Sequence, residues 1–135
     1  MDYYDVSLVD GYNLPMRVQP VAGTYTKNGN NHYDCGVAGC NTDLNKICPN
    51  DLKVTKDGKT IACLSACSKF HTEEYCCTGK HSTPQTCKAT DWQTNYPAIF
   101  KEACPEAYSY AYDDQASTFT CHGNPETAYD ITFCP

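Results

Sequence analysis

The chain has 135 residues, the length of a single domain, and its 16 acidic against 10 basic side chains leave a net charge of −6. That sign, with Arg17 the lone arginine and no basic run, excludes a phosphate backbone as partner, so no nucleic acid is expected. No apolar run approaches the roughly 18 residues of a membrane span, whereas 11 cysteines, about one residue in twelve, come close to the density of a disulfide scaffold.

In chain order, residues 1–34 read as strands and turns. Val6 and Leu8 alternate with Ser7, and Met16 and Val18 alternate with Arg17 and Gln19, the period of two that a half-buried strand needs. Asp10-Gly11 and the NGNN run at 28–31 are turn signals. Residues 35–104 hold nine of the eleven cysteines at short, irregular spacings. Two pieces there read as helical. Cys63 and Cys67 in ACLSACSKF stand four apart on one helical face. In TNYPAIFKEAC, Pro97 suits a first turn, with Ile99, Phe100 and Ala103 inward and Lys101 and Glu102 outward. Towards the end, Ser117, Phe119 and Cys121 share one strand face, and Tyr129, Ile131 and Phe133 share another, with HGNPE as the loop between. The expectation is a mainly β chain, with strands at both ends around a disulfide-knitted centre. The 11 tyrosines suit surfaces half buried and half wet, including carbohydrate-facing ones.

The cysteines read as staples. There is no C-x2-C anywhere, which removes both paired zinc ligation and a thioredoxin-type redox pair. Neither metal nor cofactor is expected, and His32, His71, His81 and His122 read as solvated loop residues. Neighbouring Cys76 and Cys77 cannot comfortably bond each other, so they tie this spot to two different places. The odd count leaves one thiol over. Such a cysteine load belongs in an oxidising compartment. The opening MDYYDVSLVDGY nevertheless has no charged n-region and no apolar h-region, so no signal peptide is expected within this stretch.

The segments DYYDVSLVDGYNLPM, CPNDLKV, AC-x3-C-x2-F, EYCCTG, FKEACPEAYSYAYDD, STFTC and ITFCP resemble, in this order and along essentially the whole chain, the thaumatin-like (pathogenesis-related group 5) proteins of plants. The resemblance implies a partial thaumatin-like β-sandwich, its N-terminal strands missing, with a disulfide-rich loop and helix subdomain. Residues 1–41 and 105–135 would form the sandwich and 42–104 the subdomain. It implies the pairs Cys35–Cys121, Cys40–Cys104, Cys48–Cys63, Cys67–Cys76 and Cys77–Cys87. Cys134 would be the free thiol, because its family partner lies in the missing N-terminal region. A mature, partial or truncated form is expected on that account.

The family resemblance further implies a secreted, apoplastic, monomeric defence protein. It would act on fungi through an acidic cleft that binds β-1,3-glucan or other wall or membrane components of the fungal surface. Asp5 and Asp10 match two cleft aspartates, and Asp113 or Asp114 would supply the third. The family's cleft arginine and glutamate have no counterpart here, since Arg17, Glu73 and Glu74 do not match them. Glycoside hydrolysis needs two carboxyls at roughly 5–5.5 Å or 6.5–9.5 Å, one with a raised pKa. Non-enzymatic binding is therefore expected, the alternatives being a weak endo-β-1,3-glucanase in a full-length parent or an inactive, allergenic fragment stabilised by its disulfides. Turn-forming and strand-end roles for Asp5, Asp10, Asp113 and Asp114 compete with cleft roles.

Overall fold

The structure, a computed structural model, describes residues 1–113 and 117–135. Strands β1 (Asp2–Tyr4), β2 (Met16–Pro20), β3 (Tyr25–Thr26) and β4 (Ala38–Cys40) come first. The hairpin β5 (Lys53–Lys56) and β6 (Lys59–Cys63) follows, then helices α1 (Ala66–Phe70), α2 (Glu73–Cys76) and α3 (Tyr96–Ala103), and last β7 (Phe119–Gly123) and β8 (Tyr129–Phe133). The chain is mainly β, as its alternating ends indicate, and every ladder is antiparallel.

The two ends of the chain interleave. β7 lies between β1 and β3, while β2 lies between β4 and β8. The register sets Tyr4 opposite Phe119 and Val18 opposite both Ala38 and Ile131. The two sheets meet in a shared core, where the Tyr4 ring lies 5.5 Å from Phe119 on its own sheet and 5.1 Å from Tyr129 on the other. Phe119 is 0% exposed and also contacts Tyr33 at 4.9 Å between ring centres. Buried Val6, Leu8, Val18, Leu44, Leu52 and Phe100 belong to the same cluster, which runs through the first, middle and last parts of the chain, and Cys77, Cys87, Ala89 and Trp92 form a second, smaller one.

The β5–β6 hairpin was not assigned from sequence, although its signal is plain. Asp57-Gly58 takes positive φ at both residues, 52° and 77°, the conformation of a two-residue turn that matches strand twist. Cys63 is the last residue of β6, not part of a helix with Cys67. Helix α1 begins only after Ser65, whose Oγ accepts the Ser68 amide at 3.1 Å. Helix α2 is capped by Thr72 and stopped by Cys77 in the left-handed region at φ 54°. That reversal sends the adjacent cysteines apart, with Cys76 bonded back to Cys67 and Cys77 forward to Cys87. Cys35–Cys121, Cys40–Cys104 and Cys48–Cys63 are also bonded, and Cys134 is a free, exposed thiol.

α3 starts on the Asn95 cap with Pro97 in its first turn. Phe100 is buried, but Lys101 does not face outward as its place beside Glu102 suggested. Its ammonium enters a polar pocket described below. Ile131 and Phe133, read from sequence as an apolar strand face, are 59% and 63% exposed. β8 is an edge strand, hydrogen-bonded on one side to β2. Of the histidines, His122 lies in β7, His32 pairs with Glu106, and His81 Nδ1 lies 2.7 Å from the Thr86 carbonyl oxygen.

Candidate functional site

The acid-bearing segment 5–10 is held from both sides. Val6 and Leu8, each 4% exposed, plug the core and leave Asp5 and Ser7 on the outer side. The Tyr108 amide donates to the Val6 carbonyl at 2.9 Å, and the Leu8 amide donates to the Tyr108 carbonyl at 2.7 Å. This parallel bridge aligns residues 5–10 with residues 107–110. Past Leu8 the chain turns, with the Gly11 amide on the Leu8 carbonyl at 3.0 Å. Gly11 has φ 115°, and a Cβ there would lie 2.9 Å from the Cys63 carbonyl oxygen, so glycine alone fits. The Ser68 hydroxyl donates to the Asp10 carbonyl at 3.2 Å, tying the turn to α1. Asp10 is exposed and lines a shallow hollow of about 310 Å³ with Tyr12, Asn13 and Leu64.

Asp113 arrives from the other side of the bridge. Its Oδ2 accepts from the Ser109 amide at 3.1 Å, from the Ser109 hydroxyl at 2.8 Å and from Lys101 Nζ at 2.8 Å. Asp114 lies outside the described residues. Between these segments and the helices is a groove of about 40 Å³ lined by Val9, Ser65, Tyr75, Trp92, Ser109 and Tyr110 among others. Its aromatic wall was not read from sequence. Trp92 packs edge-on against Tyr75 at 4.9 Å and Tyr110 at 5.6 Å, and Tyr75 meets Tyr96 at 5.9 Å. Tyr96 donates to Asp51 at 2.5 Å, and that bond, with burial, pushes its phenol up to about 12. The tyrosine surplus was the only sequence signal for this wall.

The structure thus brings the Asp5–Asp10 segment and the Asp113 segment side by side along one backbone bridge. Among the described residues no His, Cys, Asp and Glu side chains gather in a group that could hold a metal ion, and no helix is long and apolar enough to cross a membrane.

The family model described as Thaumatin family matches residues 1–135. This chain belongs to the thaumatin family. It is 54% identical over 134 residues to a pathogenesis-related thaumatin-like protein 3.5 of Cryptomeria japonica, covering 99% of this chain and 50% of that protein. It is 54% identical over 135 residues to a glucan endo-1,3-beta-glucosidase of Prunus avium, covering 99% and 49%. It is 52% identical over 134 residues to pathogenesis-related protein 5 of Arabidopsis thaliana, covering 99% and 50%. The chain therefore spans about half the length of the curated relatives it matches.

In this thaumatin-family chain the Asp5 carboxyl has no hydrogen-bond or ion-pair partner among the described residues, and partial burial raises its pKa above the ordinary aspartate value. The sign of the linkage follows. Between the unfolded and the raised folded pKa the native state binds more protons than the unfolded state, so Asp5 costs stability as pH rises through that window. Asp5→Asn is expected to stabilise the protein slightly at pH 7, by no more than a few tenths of a kcal/mol once solvent screening is counted, and to have no effect below about pH 3. Thermal unfolding of both proteins at pH 3 and pH 7 checks this. Equal melting-temperature differences at the two pH values would contradict it.

Proposed function

We propose that this chain supplies the aspartate-bearing wall of a cleft that binds β-1,3-glucan or a related component of the fungal surface, as part of a secreted plant defence protein. The observation that carries the reading is the Val6–Tyr108–Leu8 bridge, which sets the segment bearing Asp5 and Asp10 beside the segment bearing Asp113. Carboxylates beside such a groove accept hydrogen bonds from sugar hydroxyls, and the half-buried Tyr75 and Tyr110 offer rings to a pyranose face. The names of the relatives support the same direction, two of them pathogenesis-related and one a glucan endo-1,3-beta-glucosidase. Five disulfides are suited to an extracellular setting. The division into a sheet domain, 1–41 with 105–135, and a disulfide-rich subdomain, 42–104, is proposed with the groove lying along its seam.

The test is retention of the purified, oxidised protein on particulate β-1,3-glucan, with cellulose as control. Retention on the glucan is expected, along with a loss of about tenfold or more in affinity when Asp5, Asp10 and Asp113 are all replaced by asparagine, since each surrenders a charge-assisted acceptor. Equal retention of the triple variant would remove the aspartates from the site. Reducing-sugar release at the rate of a buffer blank is expected. Release above it, abolished by Asp5→Asn, would instead make the protein a glucanase with Asp5 as its acid.

A further inference from the structure

Helix periodicity sets Lys101 on the inward face of α3, four residues after buried Pro97 and beside buried Phe100, a place that its charge does not explain. Its side chain is 24% exposed, on a helix whose preceding residue, Phe100, is in the core. Its Nζ donates to the Ala107 carbonyl at 3.0 Å and to the Ser117 hydroxyl at 2.8 Å, and lies 2.8 Å from Asp113 Oδ2. A largely desolvated ammonium needs such acceptors. Of these three partners the carbonyl and the hydroxyl are neutral and Asp113 carries a charge. Three stretches of chain meet on this one nitrogen: α3, the residues after Cys104, and Ser117 at the start of the run into β7.

Asp113 is arranged to match. Its side chain is 18% exposed, and Oδ2 takes all three donors, from Lys101, the Ser109 amide and the Ser109 hydroxyl. Among the described residues Oδ1 receives none. One oxygen is committed to the protein, and Ser109, which gives two of its donors, lines the groove.

We infer that Lys101 is a positioning residue of the cleft: it fixes Asp113 through Oδ2, so that Oδ1 is the atom that accepts a sugar hydroxyl. This rests on the glucan-binding reading above and adds to it which oxygen works and what orients it. Orientation set before binding lowers the ordering cost that a free carboxylate would incur.

The test uses a soluble β-1,3-glucan hexasaccharide in titration calorimetry, together with the carboxyl ¹³C resonance of Asp113 in the ligand-free protein. Lys101→Met is expected to weaken binding about tenfold and to move the Asp113 resonance. Lys101→Arg is expected to bring both most of the way back. Ser109→Ala, which removes one donor and leaves the ammonium, is expected to weaken binding about threefold, and it carries the test if Lys101→Met does not fold. On an Asp113→Asn background Lys101→Met is expected to add nothing, because the two act through one contact. A folded Lys101→Met protein with affinity within about twofold of the parent and an unmoved Asp113 resonance would overturn the inference. A parent protein that binds no hexasaccharide would overturn the glucan reading instead, and the ¹³C comparison would then decide the role of Lys101 alone.

Discussion

Replacing Cys40 and Cys104 together by alanine is expected to lower stability by about 3–4 kcal/mol, a fall of roughly 10–15 °C in melting temperature for a chain of this length. The bond closes a sequence separation of 64 residues, for which chain entropy alone gives about 4.3 kcal/mol. That figure is too large here, because Cys35–Cys121 encloses it and already restrains the unfolded chain. With the outer bond intact, the shortest closed route runs through Cys35 and Cys121 and contains about 22 residues, which reduces the entropic effect to about 3.4 kcal/mol. Both cysteines are almost fully buried in the main core, so lost packing adds to this. The bond also fastens the end of α3 to β4, and α3 carries Lys101. Glucan affinity is therefore expected to fall with stability in this variant. Calorimetric unfolding under non-reducing conditions is the measurement. A shift below about 4 °C would mean that core packing alone holds α3 in place.

Phe119→Ala is expected to cost about 3–5 kcal/mol, a large part of the 5–15 kcal/mol that a domain usually commands. Phe119 is completely buried and stands where both sheets converge, with Tyr4 stacked at 5.5 Å, Tyr33 at 4.9 Å and His32 edge-on at 5.8 Å. The backbone leaves it no slack. A Cβ on Gly36 would come within 3.0 Å of the ring and 2.0 Å of the His32 carbonyl, so the loop over the ring is already as close as glycine permits. Such a wall cannot collapse into the space that alanine would leave, which places the expected cost toward the upper end. Urea unfolding would show a lower midpoint with an unchanged slope, and near-ultraviolet dichroism would lose part of its tyrosine signal. A cost under about 1.5 kcal/mol would mean that Tyr4 and Tyr33 refill the site.

The local readings and the long-range facts separate along physical lines. Alternation in Met16–Val18 and in Ser117–Cys121 could be read directly, because a strand writes its two faces into neighbouring residues. The Asn95 cap with Pro97 marked α3 for the same local reason. The Asp57-Gly58 hairpin is equally local, a two-residue turn joining Lys56 to its partner Lys59. Cys63 was placed on a helix with Cys67 because a spacing of four satisfies a helical face. It ends a strand because its amide and carbonyl are taken by Tyr12, 51 residues away, at 2.8 Å each.

The candidate site divides in the same way. The motifs point to Asp5 and Asp10 and to Asp113 or Asp114, but nothing in them says that Val6 and Leu8 share hydrogen bonds with Tyr108. Lys101 reads as outward from its charge, although it follows Pro97 by four residues on the buried face, and its acceptors, Ala107, Ser117 and Asp113, lie on chain that returns only after the helix has ended. Its inward position depends on a pocket of neutral acceptors and one carboxylate that exists only once those segments have folded together. By itself the sequence determined the family, the mainly β class and the strand faces, since local periodicity and motif order carry them. Only the tertiary structure decided which acid-bearing segments lie side by side, which aromatic rings pack together and which oxygen of Asp113 takes the donors of Lys101 and Ser109, because those depend on contacts between residues far apart in the chain, which no local pattern records.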